Sequence, residues 1–365
     1  MRGHIGKTLK AAKIAAAVAL FIFCAVDTNA ASLAVKCGIN RCMDMVIPSL
    51  FAMMAASSVM ISSGITELVP AWAGKISRFV FGMSERELPI FSFSMFAGYP
   101  VGAKMLCEEY NAGRITKERA EKLAGLCFGA GPAFIFGCAA NGSAGLLILI
   151  STVSANILAA LIISGSLRTP AAQKPSRRGV SISADMLTDC VLRSGKAMAD
   201  ICVMITAFSV FTAFLVRIGA MAAAGELLVK LPCLDRRSGE ALTAALIDVT
   251  NVGSISCGGQ LLPYVSGAVS FGGICVLLQI AVLTAGKLSL RPFIRIRLTA
   301  AVLSGVICRL LLPFYTDNEV VEAAMTHTVG YSADSAVPSV MLIIMTLLLM
   351  WEFGGKSKGR SAYST

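Results

Sequence analysis

The sequence predicts an all-α polytopic membrane protein, with about eight transmembrane helices plus two re-entrant hairpins arranged as an inverted repeat. Three observations point there. Of 365 residues, 56% are apolar and only 15% are charged, where soluble domains carry about 25% charged residues. Mean hydropathy is +0.75, which excludes an ordinary cytosolic enzyme and any disordered or fibrous class. Long apolar runs alternate with short basic loops, the pattern of helices oriented in a bilayer. A net charge of +11 would suggest nucleic acid for a soluble chain. Here the basic residues collect in the loops, so nucleic acid is not an expected partner.

Residues 1–35 open the chain. Arg2, Lys7, Lys10 and Lys13 precede an apolar stretch from Ile14 to Val26. That is the layout of a signal peptide, and also of a first transmembrane helix running on to about Ala34. The helix is preferred because so many membrane segments follow, with Asp27 marking its outer end. Either way the basic end stays inside.

The loops give the orientation. Arg168, Lys174, Arg177, Arg178, Arg193 and Lys196 fill a basic linker over 167–198. Lys287, Arg291, Arg295 and Arg297 form a second basic loop, and Lys356, Lys358 and Arg360 a basic tail over the end of 291–365. The positive-inside rule makes all three cytoplasmic, with both termini inside. The acidic segment 315–334 lies outside, between closing helices at about 297–315 and 335–352.

Two hairpins follow from counting spans. The first repeat, 36–166, has runs at about 46–66, 88–103, 123–138 and 144–166. The connector 104–122, with Lys104, Arg114, Lys117, Arg119 and Lys122, belongs inside, and the neutral loop 67–87 outside. Four full spans break that arrangement, so 44–66 is expected to be a hairpin open to the outside, with Ser57, Ser58, Ser62 and Ser63 at its turn. The second repeat, 199–290, has runs at about 199–220, 241–256 and 264–286. Arg236 and Arg237 favour an inside loop, so 199–227 is expected to be a hairpin entering from the cytoplasm, marked by Thr206 and Ser209. The halves then match in opposite orientation. Inverted repeats with broken helices characterise secondary transporters, whose site lies near the midplane, because interrupted backbone survives there only where protein or water lines it.

The breaks nominate the site. In Gly98-Tyr99-Pro100-Val-Gly102-Ala-Lys104, Pro100 removes a donor, Gly98 and Gly102 permit a break or close approach, Tyr99 offers a ring and a hydroxyl, and Lys104 a cation. The alternative is a kinked helix with Lys104 snorkelling to the headgroups. Asp248, Thr250, Asn251 and Gly253 lie in a short apolar run. An acid at mid-membrane costs about 2.5–3.5 kcal/mol on insertion scales and usually lines a pathway; the alternative is a hydrogen-bonded helix–helix cluster. Gly129, Gly131 and Pro132 pair with Gly272 and Gly273 as matched breaks, or as small-residue packing. Gln279 sits deep in an apolar helix and needs a partner. Thr116 is expected to cap a helix.

No other chemistry is signalled. Twelve cysteines are scattered without a C-x-x-C, and neither His4 nor His327 lies near a pair, so no metal, disulfide framework or cofactor is expected. Nor is there a nucleophile–base pair or phosphate loop, so the chain does not read as an enzyme.

The strings Gly98-Tyr-Pro-Val-Gly-Ala-Lys104, Phe128-Gly-Ala-Gly-Pro132, Asp248-Val-Thr-Asn-Val-Gly253 and Ser270-Phe-Gly-Gly273 through Gln279 resemble the YlbJ-type sporulation integral membrane proteins, of the nucleoside-recognition (Gate) domain group. The resemblance covers about residues 35–315. It implies a fold similar to concentrative nucleoside transporters, and a role in moving dipicolinate across the outer forespore membrane during spore formation. Dipicolinate is a flat aromatic dianion, suited to helix N-termini, Lys104 and the Tyr99 ring. The implied partners are that small-molecule solute, the lipid bilayer and a coupling ion, proton or sodium, with a homo-oligomer left open. Two other readings stand beside this one: a nucleoside or nucleobase permease, and a non-transporting membrane scaffold in spore-envelope assembly.

Overall fold

The computed structural model describes residues 14–15, 17–140, 142–167, 180–230, 232, 234–255 and 259–314. Among them every regular element is helical. The linker core at 168–179, the acidic segment and the second closing helix lie outside the described residues.

The chain runs α1 (Ala17–Val26), α2 (Thr28–Arg41), a π-helical stretch (Cys42–Val46), α3 (Ile47–Ser63), α4 (Ala71–Val80), α5 (Glu87–Ala97), α6 (Tyr99–Asn111), α7 (Lys117–Leu126), the short α8 (Pro132–Phe134) with a second π stretch (Ile135–Ala139), and α9 (Gly142–Leu167). The second half runs α10 (Ala184–Arg217), α11 (Ala220–Leu228), α12 (Arg236–Ile247), a 3-10 stretch (Val249–Ser254), α13 (Leu262–Phe271), α14 (Gly273–Leu283) and α15 (Leu290–Leu311).

Among the described residues, 5 helical segments are long and apolar enough to cross a membrane: Thr28–Ser63, Gly142–Leu167, Ala184–Arg217, Gly259–Leu283 and Leu290–Phe314. The chain is thus a membrane protein with several spans. Its surface agrees. On α15, Leu298, Val302, Val306 and Leu310 stand exposed in an i, i+4 stripe, while Phe293, Ile296, Ala300, Ser304 and Cys308 face inward. Such a stripe is uncovered by protein and suits lipid. The inward face packs closely on α13, where Ser266 and Ser304 hydroxyls meet at 2.7 Å, the small-residue contact usual between membrane helices.

The first helix does not run to Ala34. It ends at Val26, and Asp27 accepts from the Ala30 amide at 3.4 Å to start α2, as an N-cap acid does. Nor is 44–66 a hairpin. Thr28–Ser63 is one helical segment of 36 residues, about 54 Å long. The serines that suggest a turn bond instead to the helix itself or to its neighbours: Ser57 donates to Met54 O at 2.8 Å and Ser63 to Met60 O at 3.4 Å. The same holds for 199–227, where Thr206 and Ser209 donate back to Cys202 O and Ile205 O. Helix α10 continues to Arg217 and turns only at Gly219.

The sharp turn in the first half lies at Gly98. Helices α5 and α6 fold back on each other there, and a Cβ on Gly102 would strike Ser94 and the Cys127 carbonyl. Contacts between helix ends show the consequence. Arg119 donates to Leu167 O at 2.6 Å and to Gly82 O at 2.7 Å. Ser181 N reaches Ser63 O, Lys287 reaches Asn111, and Ser289 N reaches Glu121. Residues 63, 82, 111–121, 167, 181 and 287–289 therefore share one end. The neutral loop 67–87 is expected opposite the 104–122 connector, but its last residues join it, because Glu87 is held by Arg119. At the other end Arg217 pairs with Asp27 at 3.2 Å, and Tyr264 donates to Pro232 O at 2.8 Å. The connector before Arg236 and Arg237 thus lies away from the basic loops, not with them. Arg297 also leaves its expected loop: it sits inside α15 and is fully buried.

Element order is parallel in the two halves, except that α6 has no α-helical counterpart and the 3-10 stretch Val249–Ser254 follows α12 instead. A long helix (α2–α3; α10) is followed by a short one (α4; α11), a helix ended by a break (α5; α12), a second broken pair (α7–α8; α13–α14) and a long closing helix (α9; α15).

Candidate functional site

Four interruptions converge at the centre. Gly98 ends α5 at φ +97, Asp248 ends α12 in extended backbone, Gly131 precedes α8, and Gly272 separates α13 from α14. In each half the second break packs against the first. A Cβ on Gly131 would lie 2.9 Å from Phe96 O and 3.2 Å from Gly98 N. A Cβ on Gly273 would lie 3.0 Å from Val249 N and 3.3 Å from Ile247 O. Both glycines have positive φ, +69 and +78, where other residues are strained. Across the halves, Gly253 meets Cys138 O, Gly272 meets the Phe128 and Tyr99 rings, and Tyr99 Oη donates to Val269 O at 2.7 Å.

Between the breaks lies a cavity of about 30 Å³, lined in part by Tyr99, Pro100, Asp248, Thr250 and Gln279. That is room for about one water-sized molecule. Pro100 does not kink a helix; it sits in the first turn of α6, where the missing N–H loses nothing, as Pro132 does in α8. Tyr99 is packed against Phe128 and Phe134, with ring centroids 4.9 and 5.4 Å away, so its faces are largely taken. Gln279 donates to Cys275 Sγ at 3.3 Å.

Asp248 is 1% exposed and well satisfied. Its Oδ1 accepts from Thr250 N at 3.1 Å and Thr250 Oγ1 at 2.8 Å. Its Oδ2 pairs with Arg41 at 3.1 Å, and the same guanidinium donates to Asn251 Oδ1 at 3.1 Å. The acid thereby fastens the turn of the second half to α2 of the first.

Lys104 stands apart from this cluster. The expectation that it joins Asp248 and Tyr99 fails because, more than a turn beyond Tyr99 on α6, its ammonium points toward α3 and α10. It donates to Ser58, to Ser194 Oγ at 3.0 Å and to Met54 O at 3.2 Å, with Glu108 at 3.7 Å. It borders a second cavity of about 190 Å³, lined by Lys104, Glu108, Arg193, Lys196 and Asp200 among others. The same three helices line both cavities: α6 through Tyr99 then Lys104, α10 through Ile205 then Arg193, and α14 through Gln279 then Leu283.

Sequence reasoning missed Arg41, Ser194, Asn156 and Arg297. Arg297 donates to Asn156 Oδ1 at 2.7 Å and to Phe128 O and Ser270 O at 3.3 Å each. Arg41 follows a polar residue on a long apolar helix, and that intramembrane charge was the available signal. Among the described residues no group of His, Cys, Asp and Glu is placed to hold a metal ion.

Over 137 residues the chain is 29% identical to the sporulation integral membrane protein YlbJ of Bacillus subtilis, an alignment covering 37% of this chain and 33% of that protein. The match thus spans about a third of the relative's length. No protein-family model matches the chain, and no solved structure matches it.

Proposed function

We propose that the chain is a secondary transporter of a small anionic or aromatic solute, working by alternating access, with dipicolinate during spore formation as its leading substrate. One observation carries this: α6, α10 and α14 line both a charged cavity at the 111–121 end and a small cavity bordered by the helix breaks. A solute admitted beside Lys104, Arg193 and Lys196 would reach the breaks by a movement of the α5–α6 arm that also enlarges the central cavity, which holds about one water-sized molecule. Three cations against Glu108 and Asp200 favour an anion at that mouth.

In this reading α5–α6 and the α12 turn are the two re-entrant hairpins, entering from opposite ends. The 5 long apolar segments supply the full spans among the described residues, an arrangement similar to concentrative nucleoside transporters. Both termini are cytoplasmic, in the bacterial cell membrane or the outer forespore membrane. The bilayer, a proton or sodium ion and a homo-oligomeric partner complete the proposed surroundings. A nucleoside permease is the second reading, favoured by the central lining, where Ser49, Thr250 and Gln279 are neutral hydrogen-bonding groups.

The test is uptake by membrane vesicles carrying the chain, with labelled dipicolinate beside labelled uridine. Dipicolinate uptake that falls in Lys104→Ala supports the anion transporter. Uridine uptake alone moves the assignment to a permease. Neither solute moving, in vesicles containing folded protein, leaves the scaffold reading.

A further inference from the structure

Arg297 is fully buried in α15, and no carboxylate pairs with it among the described residues' ion pairs. Burying a guanidinium without an acid is expensive. Its hydrogen bonding is incomplete as well, since Nε has no partner. Its hydrogen-bond partners are three oxygens, one ring lies against it, and the Cys127 thiol and Tyr99 phenol are neighbours. Phe128 O lies just past the end of α7, and Ser270 O lies in the last turn of α13. Asn156 Oδ1 completes the set, and the Phe128 ring lies 4.9 Å from the guanidinium carbon.

The two carbonyls come from equivalent breaks in the two halves. Each marks a half-helix C-terminus, which carries partial negative charge. Two such ends meeting at one buried point make a site for a positive charge. Secondary transporters hold coupling cations with unwound carbonyls and half-helix ends of this kind.

The geometry points to Arg297 as a tethered cation, holding permanently the place at the crossing of the two second breaks that a free monovalent cation would otherwise occupy. The chain therefore carries its own charge there and takes no sodium at that point. Any coupling ion of the proposed transport cycle acts elsewhere; only this consequence rests on the transporter reading. Asn156 serves as the positioning residue, because its amide donates to Phe128 O at 2.8 Å while its oxygen accepts from Arg297. Removing the arginine side chain should leave an oxygen-lined cation site open to a small guest.

The test is thermal unfolding of the purified full chain in detergent, for wild type, Arg297→Ala, Arg297→Lys and Arg297→Met. Each is measured in choline chloride and with sodium chloride or low-millimolar guanidinium chloride substituted at constant ionic strength. Any sodium-dependent shift of the wild-type midpoint, such as a coupling site elsewhere would give, is the baseline from which each variant's rescue is read. Arg297→Ala should unfold at a lower temperature, and guanidinium or sodium should restore at least half of the loss in a saturable manner. The proposal is overturned if Arg297→Ala matches wild type, or if its loss is identical in every salt. Should Arg297→Ala fail to fold, the other two variants decide. Arg297→Lys more stable than Arg297→Met supports a charge requirement, and Arg297→Met as stable as Arg297→Lys overturns it. The readout is independent of whether any solute is transported.

Discussion

Gly131 and Gly273 each follow a helix break at positive φ, and at each an added Cβ would run into the backbone of the preceding break, Phe96–Gly98 and Ile247–Val249 respectively. Small residues often pack helices in membranes, but here the neighbours are main-chain atoms, which cannot rotate away.

Gly131→Ala and Gly273→Ala should therefore each destabilise the chain by about 1–3 kcal/mol, from backbone strain plus the clash. Gly195→Ala is the control. Gly195 lies inside α10 with nothing within 4 Å of a built Cβ, and alanine there should stabilise by about 0.5–1 kcal/mol. Thermal midpoints in detergent read all three. Equal behaviour of the three variants would refute the packing argument.

The Arg41–Asp248 pair predicts an asymmetric double-mutant cycle. Asp248 is the more buried partner, at 2% side-chain exposure against 25% for Arg41. Asp248→Ala loses the pair and both Thr250 bonds, and should destabilise by about 2–3 kcal/mol. Arg41→Gln leaves the buried carboxylate with its Thr250 donors but no cation, and should cost more, about 3–5 kcal/mol. A coupling energy of about 1–2 kcal/mol is expected. Additive losses would show that the two residues act separately.

The breaks were legible in the sequence because glycine and proline interrupt an apolar run through their own backbone chemistry, whatever packs around them. Gly98, Pro100, Gly131, Pro132, Gly272 and Gly273 all fall at helix ends. Hairpin placement was not legible. A serine run looks like a turn, yet in lipid each hydroxyl can bond to its own helix, and Ser57 and Ser63 do so. Loop charge also misleads. Glu87 belongs with Arg119 through a buried contact, which counting charges cannot detect. Arg297 reads by charge as a loop residue, although it lies two turns into α15. The site splits for a related reason: Tyr99 and Lys104 are near in sequence but project toward different cavities.

At the charged mouth, opposite signs are predicted for neighbouring residues. Lys104 and Glu108 are one turn apart on α6, 3.7 Å between charges. If a dianion enters there, Lys104→Gln removes attraction and Glu108→Gln removes repulsion. KM for dipicolinate uptake should rise by about tenfold in the first, near 1.4 kcal/mol, and fall in the second. Uridine uptake should respond to neither. A KM that rises in both would mean that the residues only hold α6 in place.

The arrangement of ends predicts sidedness for single cysteines in a cysteine-free background. Gly113 and Gly286 are exposed and lie at the end where Lys287 meets Asn111. Gly219 and Arg237 are exposed too, near the Arg217–Asp27 contact and the Tyr264–Pro232 contact respectively. An impermeant thiol reagent added to intact cells should label Gly219→Cys and Arg237→Cys and spare Gly113→Cys and Gly286→Cys. Inverted vesicles should give the reverse. The pairing carries the argument, because a chain that crossed at 87–111 would place the 113 label opposite the loop around Gly82, and a chain that folded back at 199–227 would place Arg237 with the basic loops. Labelling of Arg237→Cys together with Gly286→Cys would break the second hairpin, whatever the orientation of the whole.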